Sequence, residues 1–368
     1  MTQTELTIHR LGHHGDGIAP GPVFVPLSLP GEVVTGAVAG DQMTDTKIVK
    51  PSVDRVRPAC AHFKSCGGCN LMHASDAFVA EWKAGVIVAA LAAHDLTAPI
   101  RPIATSPPRA RRRATLAGRR TKKGALVGFY ARRSDVIVPL GDCHVLAQPL
   151  VDLLPVLAEI TQVGGSRAAT LSFALTLTDT GIDCAVTGGK PLDEELRTAL
   201  PRFRADIARL SWGDEPVYAE TLPSVHFGTI AVAPPPGAFL QATKAGEDAL
   251  SAAVAAALDG SKRVADLFAG CGTFALPLAR AVPVHAVEGA AALTAALDHA
   301  MRYATGLKAL TVETRDLFRR PLLPAELARF DGIVIDPPRA GAEAQVAQIV
   351  TAQIPRVAMV NSLETLFL

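Results

Sequence analysis

Four cysteines set the first constraint on how this 368-residue chain can fold. Cys60, Cys66 and Cys69 form the compact motif C-x5-C-G-G-C, and Cys143 stands far downstream in a basic, strand-rich stretch. A fold that uses all four must bring Cys143 back to the other three. A cubane iron–sulfur cluster takes one thiolate per iron, and Gly67-Gly68 lets the backbone bend tightly between neighbouring ligands without Cβ clashes. The spacing therefore favours a 4Fe-4S cluster on Cys60, Cys66, Cys69 and Cys143. Structural zinc is the competitor, but its ligands usually come as two tight knuckles and Cys143 has no near partner cysteine. A radical-type C-x3-C-x2-C rhythm is not matched. Cys184 and Cys271 lie in apolar or Gly-rich surroundings and read as packing residues.

Residues 2–10 are polar and offer no cleavable apolar leader, which argues for a compartment where thiols stay reduced, the cytoplasm. The chain is 49% hydrophobic, yet it has no apolar run of about 18 residues that would suggest a membrane span. Its net charge of +1 hides a local asymmetry: from Arg101 to Arg133 there are 11 Lys and Arg and no acid. Eleven unpaired cations are costly to keep together unless phosphates meet them, so the segment reads as a grip on nucleic acid. A solvated charged face is the plain alternative.

Along the chain, residues 1–57 carry short β-type runs at 4–8, 23–26 and 32–38, punctuated by glycines, and suggest a small five-stranded, OB-like barrel. Residues 58–235 hold the cysteines, a helix expected from Ser75 (as N-cap) to about His94, the basic segment, and strand-like stretches at 170–178 and 182–186, a mixed α/β domain. Residues 236–368 alternate short apolar strands with Ala/Leu-rich helices, the pattern of a Rossmann-like, doubly wound parallel sheet. Nothing in the sequence calls for a dimer, and the chain is read as a monomer.

The third part carries a cofactor signature. In V-A-D-L-F-A-G-C-G-T, from Val264 to Thr273, an apolar strand with an acid opens into a G-x-G turn, so backbone can approach a ligand at the carboxyl edge of the sheet. Glu288 ends the next strand, 22 residues after Asp266, where a carboxylate can accept from both ribose hydroxyls. The third glycine suited to a dinucleotide pyrophosphate is missing, which favours S-adenosylmethionine over NAD. Asp336 and the Pro337-Pro338 turn follow a second apolar strand and fall at the rim of the same pocket.

Taken together, C-x5-C-G-G-C with a distant fourth Cys, an N-terminal barrel of TRAM type, F-L-Q at 239–241, D-L-F-A-G-C-G-T-F and D-P-P-R-A-G resemble the iron–sulfur RNA uracil-C5 methyltransferases, most of all the bacterial 23S rRNA enzymes. The resemblance runs from about residue 5 to residue 360. It implies cofactor contacts at Gln241, Phe268, Thr273, Glu288, Asp316 and Asp336, cluster ligation by Cys60, Cys66, Cys69 and Cys143, and RNA, ribosomal rather than transfer, gripped by the barrel and the basic segment. Thr273 and Asp316 stand where members commonly carry Asn, and both still hydrogen-bond. In this chemistry a cysteine thiolate adds to uracil C6, the activated C5 takes the methyl, a base removes the C5 proton, and the thiol leaves. The target base must be flipped out or single-stranded.

At the nucleophile the sequence departs from the resemblance. Ungapped alignment from Asp336 puts Ser362 where the cysteine belongs, and the chain then stops at Leu368, before the segment that in the family supplies a Glu base and further strands. A serine hydroxyl is barely ionised near neutral pH, whereas a thiol is a few per cent thiolate. The expectation is a chain of clear methyltransferase lineage whose own turnover is doubtful, ended by a premature stop or frameshift after Val360 rather than by a variant that gave up catalysis. Such an end should leave apolar surface exposed around residues 357–360 and 366–368. A non-catalytic iron–sulfur RNA-binding protein is the alternative; a small-molecule methyltransferase is weakened by the basic segment and the barrel.

Overall fold

The computed structural model describes residues 3–360, which form two compact units: residues 3–105 with Gly128–His144, and Ser106–Val127 with residues 145–360. Ser362 and residues 366–368 lie outside the described residues. No described helix is long and apolar enough to cross a membrane.

The first unit opens with six strands, β1 (Thr4–Thr7), β2 (Arg10–Leu11), β3 (Gly17–Ala19), β4 (Val23–Val25), β5 (Val33–Ala39) and β6 (Gln42–Lys50), in the order β1-β5-β6-β4-β3-β2. The sequence expectation was five strands. The difference arises between residues 10 and 25, where strands of two and three residues are too short to carry a period-two signal and are defined only by their pairing. Ile8, Val25, Val34 and Met43 alternate inward and make the core of this sheet. Helix α1 (Asp76–Ala92) begins as expected, with Ser75 Oγ accepting from the Phe78 amide at 3.2 Å. Its first two turns pack Phe78, Val79 and Trp82 on Leu11, Leu29 and Leu71. The unit also contains the end of β8 (Ala125–Tyr130), whose Gly128–Tyr130 pair with β9 (Ile137–Pro139).

The second unit begins with a mixed sheet. Strands β7 (Arg113–Arg120), β10 (Leu171–Thr178), β11 (Gly181–Thr187), β12 (Arg209–Trp212) and β13 (Glu215–Ala219) run in the order β13-β12-β11-β10-β7, with β11 and β12 parallel. Helices α2 (Gln148–Asp152), α3 (Leu154–Gly164) and α4 (Glu194–Ala199) precede β10 and β12, and a small hairpin of β14 (Val225–Phe227) and β15 (Ile230–Val232) comes after them. The parallel register sets Asp183 beside Arg209, and the two form a buried bidentate pair at 2.8 Å.

After α5 (Lys244–Ala257) come β16 (Val264–Leu267), α6 (Ala275–Leu278), β17 (Val284–Glu288), α7 (Ala291–Tyr303), β18 (Leu310–Thr314), α8 (Pro324–Leu327), β19 (Gly332–Ile335), α9 (Glu343–Ala352) and β20 (Arg356–Met359). Their five strands are all parallel, in the order β18-β17-β16-β19-β20. This is the doubly wound sheet expected from the sequence. β16 and β19 are buried on both faces, which is why they read as apolar runs, interrupted in β16 by Asp266; separate cores line the two sides of the sheet. The order reverses between β16 and β19, which opens a crevice at their carboxyl ends. β20 stands at one end of the order, and its Val357 and Met359 are 44% and 55% exposed.

Candidate functional site

The crevice is built by the turns at the carboxyl ends of the strands. After β16 the chain turns through Phe268 (φ 62°), Gly270 (φ 57°) and Gly272 (φ 100°). A Cβ on Gly272 would lie 2.5 Å from Leu297 Cδ1, whereas one on Gly270 would meet nothing within 4 Å; Gly270 is required by its dihedral and faces open space. Phe268 holds a left-handed conformation that a bulky residue adopts only under strain. Glu288 steadies the turn: its Oε2 accepts from the Gly270 amide at 3.0 Å and its Oε1 from the Ala290 amide at 2.8 Å. Each oxygen retains a second lone pair for a ligand hydroxyl.

Asp316 follows β18, and its Oδ1 accepts from the amides of Phe318 (2.9 Å) and Arg319 (3.3 Å). Phe318, half exposed, lies 5.4 Å from the Phe268 ring at a tilt of 56°. Asp336 follows β19 and donates its amide to the Leu267 carbonyl at 3.2 Å, which ties the two central strand ends together. Thr273 sits half-buried in the turn before α6. Five of the sequence-predicted residues, Phe268, Thr273, Glu288, Asp316 and Asp336, thus belong to one sheet edge. The sixth, Gln241, lies on the loop before α5, where its carbonyl accepts from Arg112 Nε at 3.3 Å. Nearby, the Arg113 guanidinium lies over the half-exposed Phe239 ring at 4.9 Å.

Two members of this edge were not among the expected contacts. Asp266, within β16, is completely buried, and neither carboxylate oxygen has a hydrogen-bond partner; the Ala275 amide is near but outside bonding geometry. Burial, then the charges of Asp336 and Glu288, raise its pKa well above the usual carboxylate range. The sequence showed the acid in its apolar strand but not that it would be left unpartnered. Phe318 was missed because an aromatic two residues after Asp316 carries no local signal. An orphaned carboxylate, a glycine turn open to solvent and two carboxylates at flanking strand ends suit a ligand with an ammonium group, ribose hydroxyls and a planar base. The residues present therefore fit S-adenosylmethionine.

The cysteines gather in the first unit. Gly67 donates its amide to the Tyr130 carbonyl at 2.8 Å, and Cys66 bridges Ala131, so the C-G-G-C turn is fastened to the end of β8. A Cβ on Gly67 would sit 2.8 Å from the Tyr130 oxygen, and one on Gly68 would sit 3.2 Å from Phe129. Close approach of the neighbouring strand, rather than an unusual dihedral, is what demands glycine here. Burial pushes the Cys69 thiol up to about 12, with further increments from Cys143, Cys66 and Cys60, and burial also raises Cys66. Lesser increments to Cys66 come from Cys143 and Cys60, the same two neighbours that act on Cys69. Arg132 donates to the Cys69 carbonyl and places a cation beside them. Among the described residues, no group of three or more His, Cys, Asp or Glu has the spacing to hold a metal ion. The donor set, four thiols without a carboxylate, is one that soft metal centres use.

The basic segment divides in two, which corrects the expectation of eleven unpaired cations. Arg112 is buried against Glu247, Arg133 pairs with Asp16, Arg119 donates to Thr170 Oγ1 and Arg109 to Gln148. Arg101, Arg120, Lys122 and Lys123 are exposed. Cys184 and Cys271 are buried at 0% and 2% exposure, the packing role expected of them.

No family model matches the chain. Among curated proteins it is 44% identical over 361 residues to an uncharacterized RNA methyltransferase of Mesorhizobium japonicum (strain LMG 29417 / CECT 9101 / MAFF 303099), covering 97% of this chain and 87% of that one. It is 40% identical to an uncharacterized RNA methyltransferase of Brucella suis biovar 1 (strain 1330), with the same coverage. It is 31% identical to the 23S rRNA (uracil(1939)-C(5))-methyltransferase of Shewanella sp. (strain ANA-3), over 92% of this chain and 81% of that one. Among solved structures its fold resembles that of the Pyrococcus abyssi tRNA (uracil-54, C5)-methyltransferase in complex with S-adenosyl-L-homocysteine, with a TM-score of 0.75 at 19% identity, over 98% of this chain and 90% of that one. With relatives of such identity running along nearly its whole length, the chain belongs to the RNA methyltransferase family.

Proposed function

We propose that this chain is built to methylate C5 of a uridine in RNA, ribosomal rather than transfer RNA, with S-adenosylmethionine as methyl donor. The observation that carries the proposal is the orphaned, fully buried Asp266 beneath a glycine turn rimmed by Glu288, Asp316 and Asp336. S-adenosylmethionine supplies an electrophilic methyl on a sulfonium. Glu288 holds Gly270 in its left-handed turn and presents its remaining lone pairs to the ribose hydroxyls. Asp266 and Asp336 oppose the ligand's cationic end, while Phe268 and Phe318 enclose its base, with Asp316 at the base edge. Thr273 and Gln241 complete the proposed contacts. The uracil-C5 assignment rests on the 31% relative and on the sequence motifs.

The proposal divides the chain at residues 57 and 235 into a TRAM-type RNA-binding barrel, a cysteine domain and a methyltransferase domain, and gives Cys60, Cys66, Cys69 and Cys143 a 4Fe-4S cluster. The placing of all four cysteines in the first unit, the C-G-G-C turn fastened to the end of β8, and the adjoining Arg132 support that ligand set. Iron and sulfide analysis of anaerobically purified protein tests it, and a Cys66→Ser variant with unchanged iron content sinks it.

Ser362, in register with the family's nucleophilic cysteine, favours a second reading in which the chain binds RNA without turnover. One experiment separates the two: the protein is given S-adenosylmethionine with unmodified ribosomal or transfer RNA, and 5-methyluridine is read by mass spectrometry of nucleosides. Product in either reaction supports methylation and names the RNA class. No product in either, with RNA still bound, selects the binding-only reading.

A further inference from the structure

Within the first unit a cavity of about 610 Å3 lies between β6 and the cysteine-bearing segment. That is the size range of small-molecule sites, ~300–1,000 Å3. Phe63 and His73 line it, with ring centroids 5.4 Å apart and a tilt of 35°, and the Arg132 guanidinium lies 5.2 Å from the Phe63 centroid. His73 is 1% exposed, and neither ring nitrogen has a hydrogen bond; the Ser28 main chain is near but outside bonding geometry. Burial pushes its pKa down to about 4, so near neutral pH the ring offers one donor and one acceptor. A buried donor and acceptor without partners are costly to keep unless something enters to meet them. The lining also carries Arg55 and Lys64 against a single carboxylate, Asp45. Arg55 is committed to Glu32 and to the Leu27 carbonyl, which leaves the exposed Lys64 as the cation for an incoming anion.

We propose that this cavity receives one unstacked nucleobase of single-stranded RNA, packed against the wall that the buried Phe63–His73 pair forms, read at its edge by His73, with the adjoining phosphate against Lys64. A nucleotide unit offers a planar π face, a hydrogen-bonding edge and a neighbouring anion together, which is the set of groups lining the cavity. The inference rests on the reading of the chain as one that acts on RNA, and it adds a recognition site away from the methyl-transfer crevice.

The test uses full-length protein and a single-stranded RNA carrying 4-thiouridine, with photocrosslinks mapped by mass spectrometry and affinities measured for wild type, Phe63→Leu, His73→Phe and Lys64→Ala. Crosslinks should map to residues 58–73. Phe63→Leu should weaken binding about 5- to 150-fold, and His73→Phe, which keeps the aromatic filling, about 2- to 12-fold. Lys64→Ala should lower the salt slope by about 1. Crosslinks confined to other segments, with unchanged affinity in His73→Phe and Lys64→Ala, overturn the pocket even if Phe63→Leu fails to fold. Failure of the wild-type protein to bind any RNA at low salt overturns the RNA reading itself.

Discussion

At Asp266 the carboxylate is held in the folded state with a pKa above its unfolded value of about 3.9. Over the interval between those values the folded chain keeps a proton that the unfolded chain releases, so stability is highest below the unfolded pKa and falls as pH rises toward the folded one. We predict that Asp266 progressively lowers the melting temperature of the ligand-free protein from about pH 4 upward, read as the difference between wild type and Asp266→Asn, with the lowered pKa of His73 acting in the opposite sense in both proteins. Asp266→Asn should flatten that dependence and raise the neutral-pH melting temperature. The same substitution should weaken S-adenosylhomocysteine binding by about 10- to 100-fold, measured by calorimetry, because the acid can ionise against the ligand's ammonium group whereas the amide cannot. Equal affinity in the variant would remove Asp266 from the site. Glu288 and Asp336 were legible in the sequence because each ends an apolar strand at a turn. That Glu288 spends part of its carboxylate on Gly270, and that Asp266 lacks partners, are tertiary facts with no local trace.

Among the elements, the C-G-G-C turn is pinned by its fit to the end of β8. Gly67→Ala brings a methyl to 2.8 Å from the Tyr130 oxygen, so it should destabilise the protein by about 1–3 kcal/mol. Thermal melts check this, and an unchanged melt would mean that the strand yields. The basic segment makes a contrasting pair of predictions. Arg112→Ala leaves Glu247, 2% exposed, with only Lys244 at 3.0 Å, and should cost about 3 kcal/mol, the low end for a broken buried pair. Alanines at Arg120, Lys122 and Lys123 should leave stability within about 0.5 kcal/mol while lowering the salt slope of RNA binding by about 1 per charge. Helix α1 could be read from sequence because its cap, Ser75, is local. The pairing of Arg112 with Glu247, 135 residues apart, could not.

For the whole molecule, the doubly wound sheet was evident from its strand–turn–helix rhythm, whereas the make-up of the two units was not. The chain leaves the first unit after Thr105, returns at Gly128 and leaves again after His144. Scanning calorimetry should resolve two transitions: one raised by S-adenosylhomocysteine, by about 2.7 kcal/mol at one hundred times its Kd, the other, on the proposed cluster, lowered by iron chelation. A single transition that answers to both reagents would contradict two separately stabilised units.

That threading has a consequence for biosynthesis. Cys60, Cys66 and Cys69 leave the ribosome well before Cys143, and at roughly 5–20 residues per second the nascent chain spends several seconds with three thiols and no fourth. If the four cysteines hold the proposed cluster, the growing protein presents an incomplete donor set throughout that interval, open to oxidation or to capture of another metal. On the proposed cluster, assembly has to wait until Gly128–His144 has emerged and folded back, which would make the arrival of the fourth thiol a checkpoint in the chain's maturation.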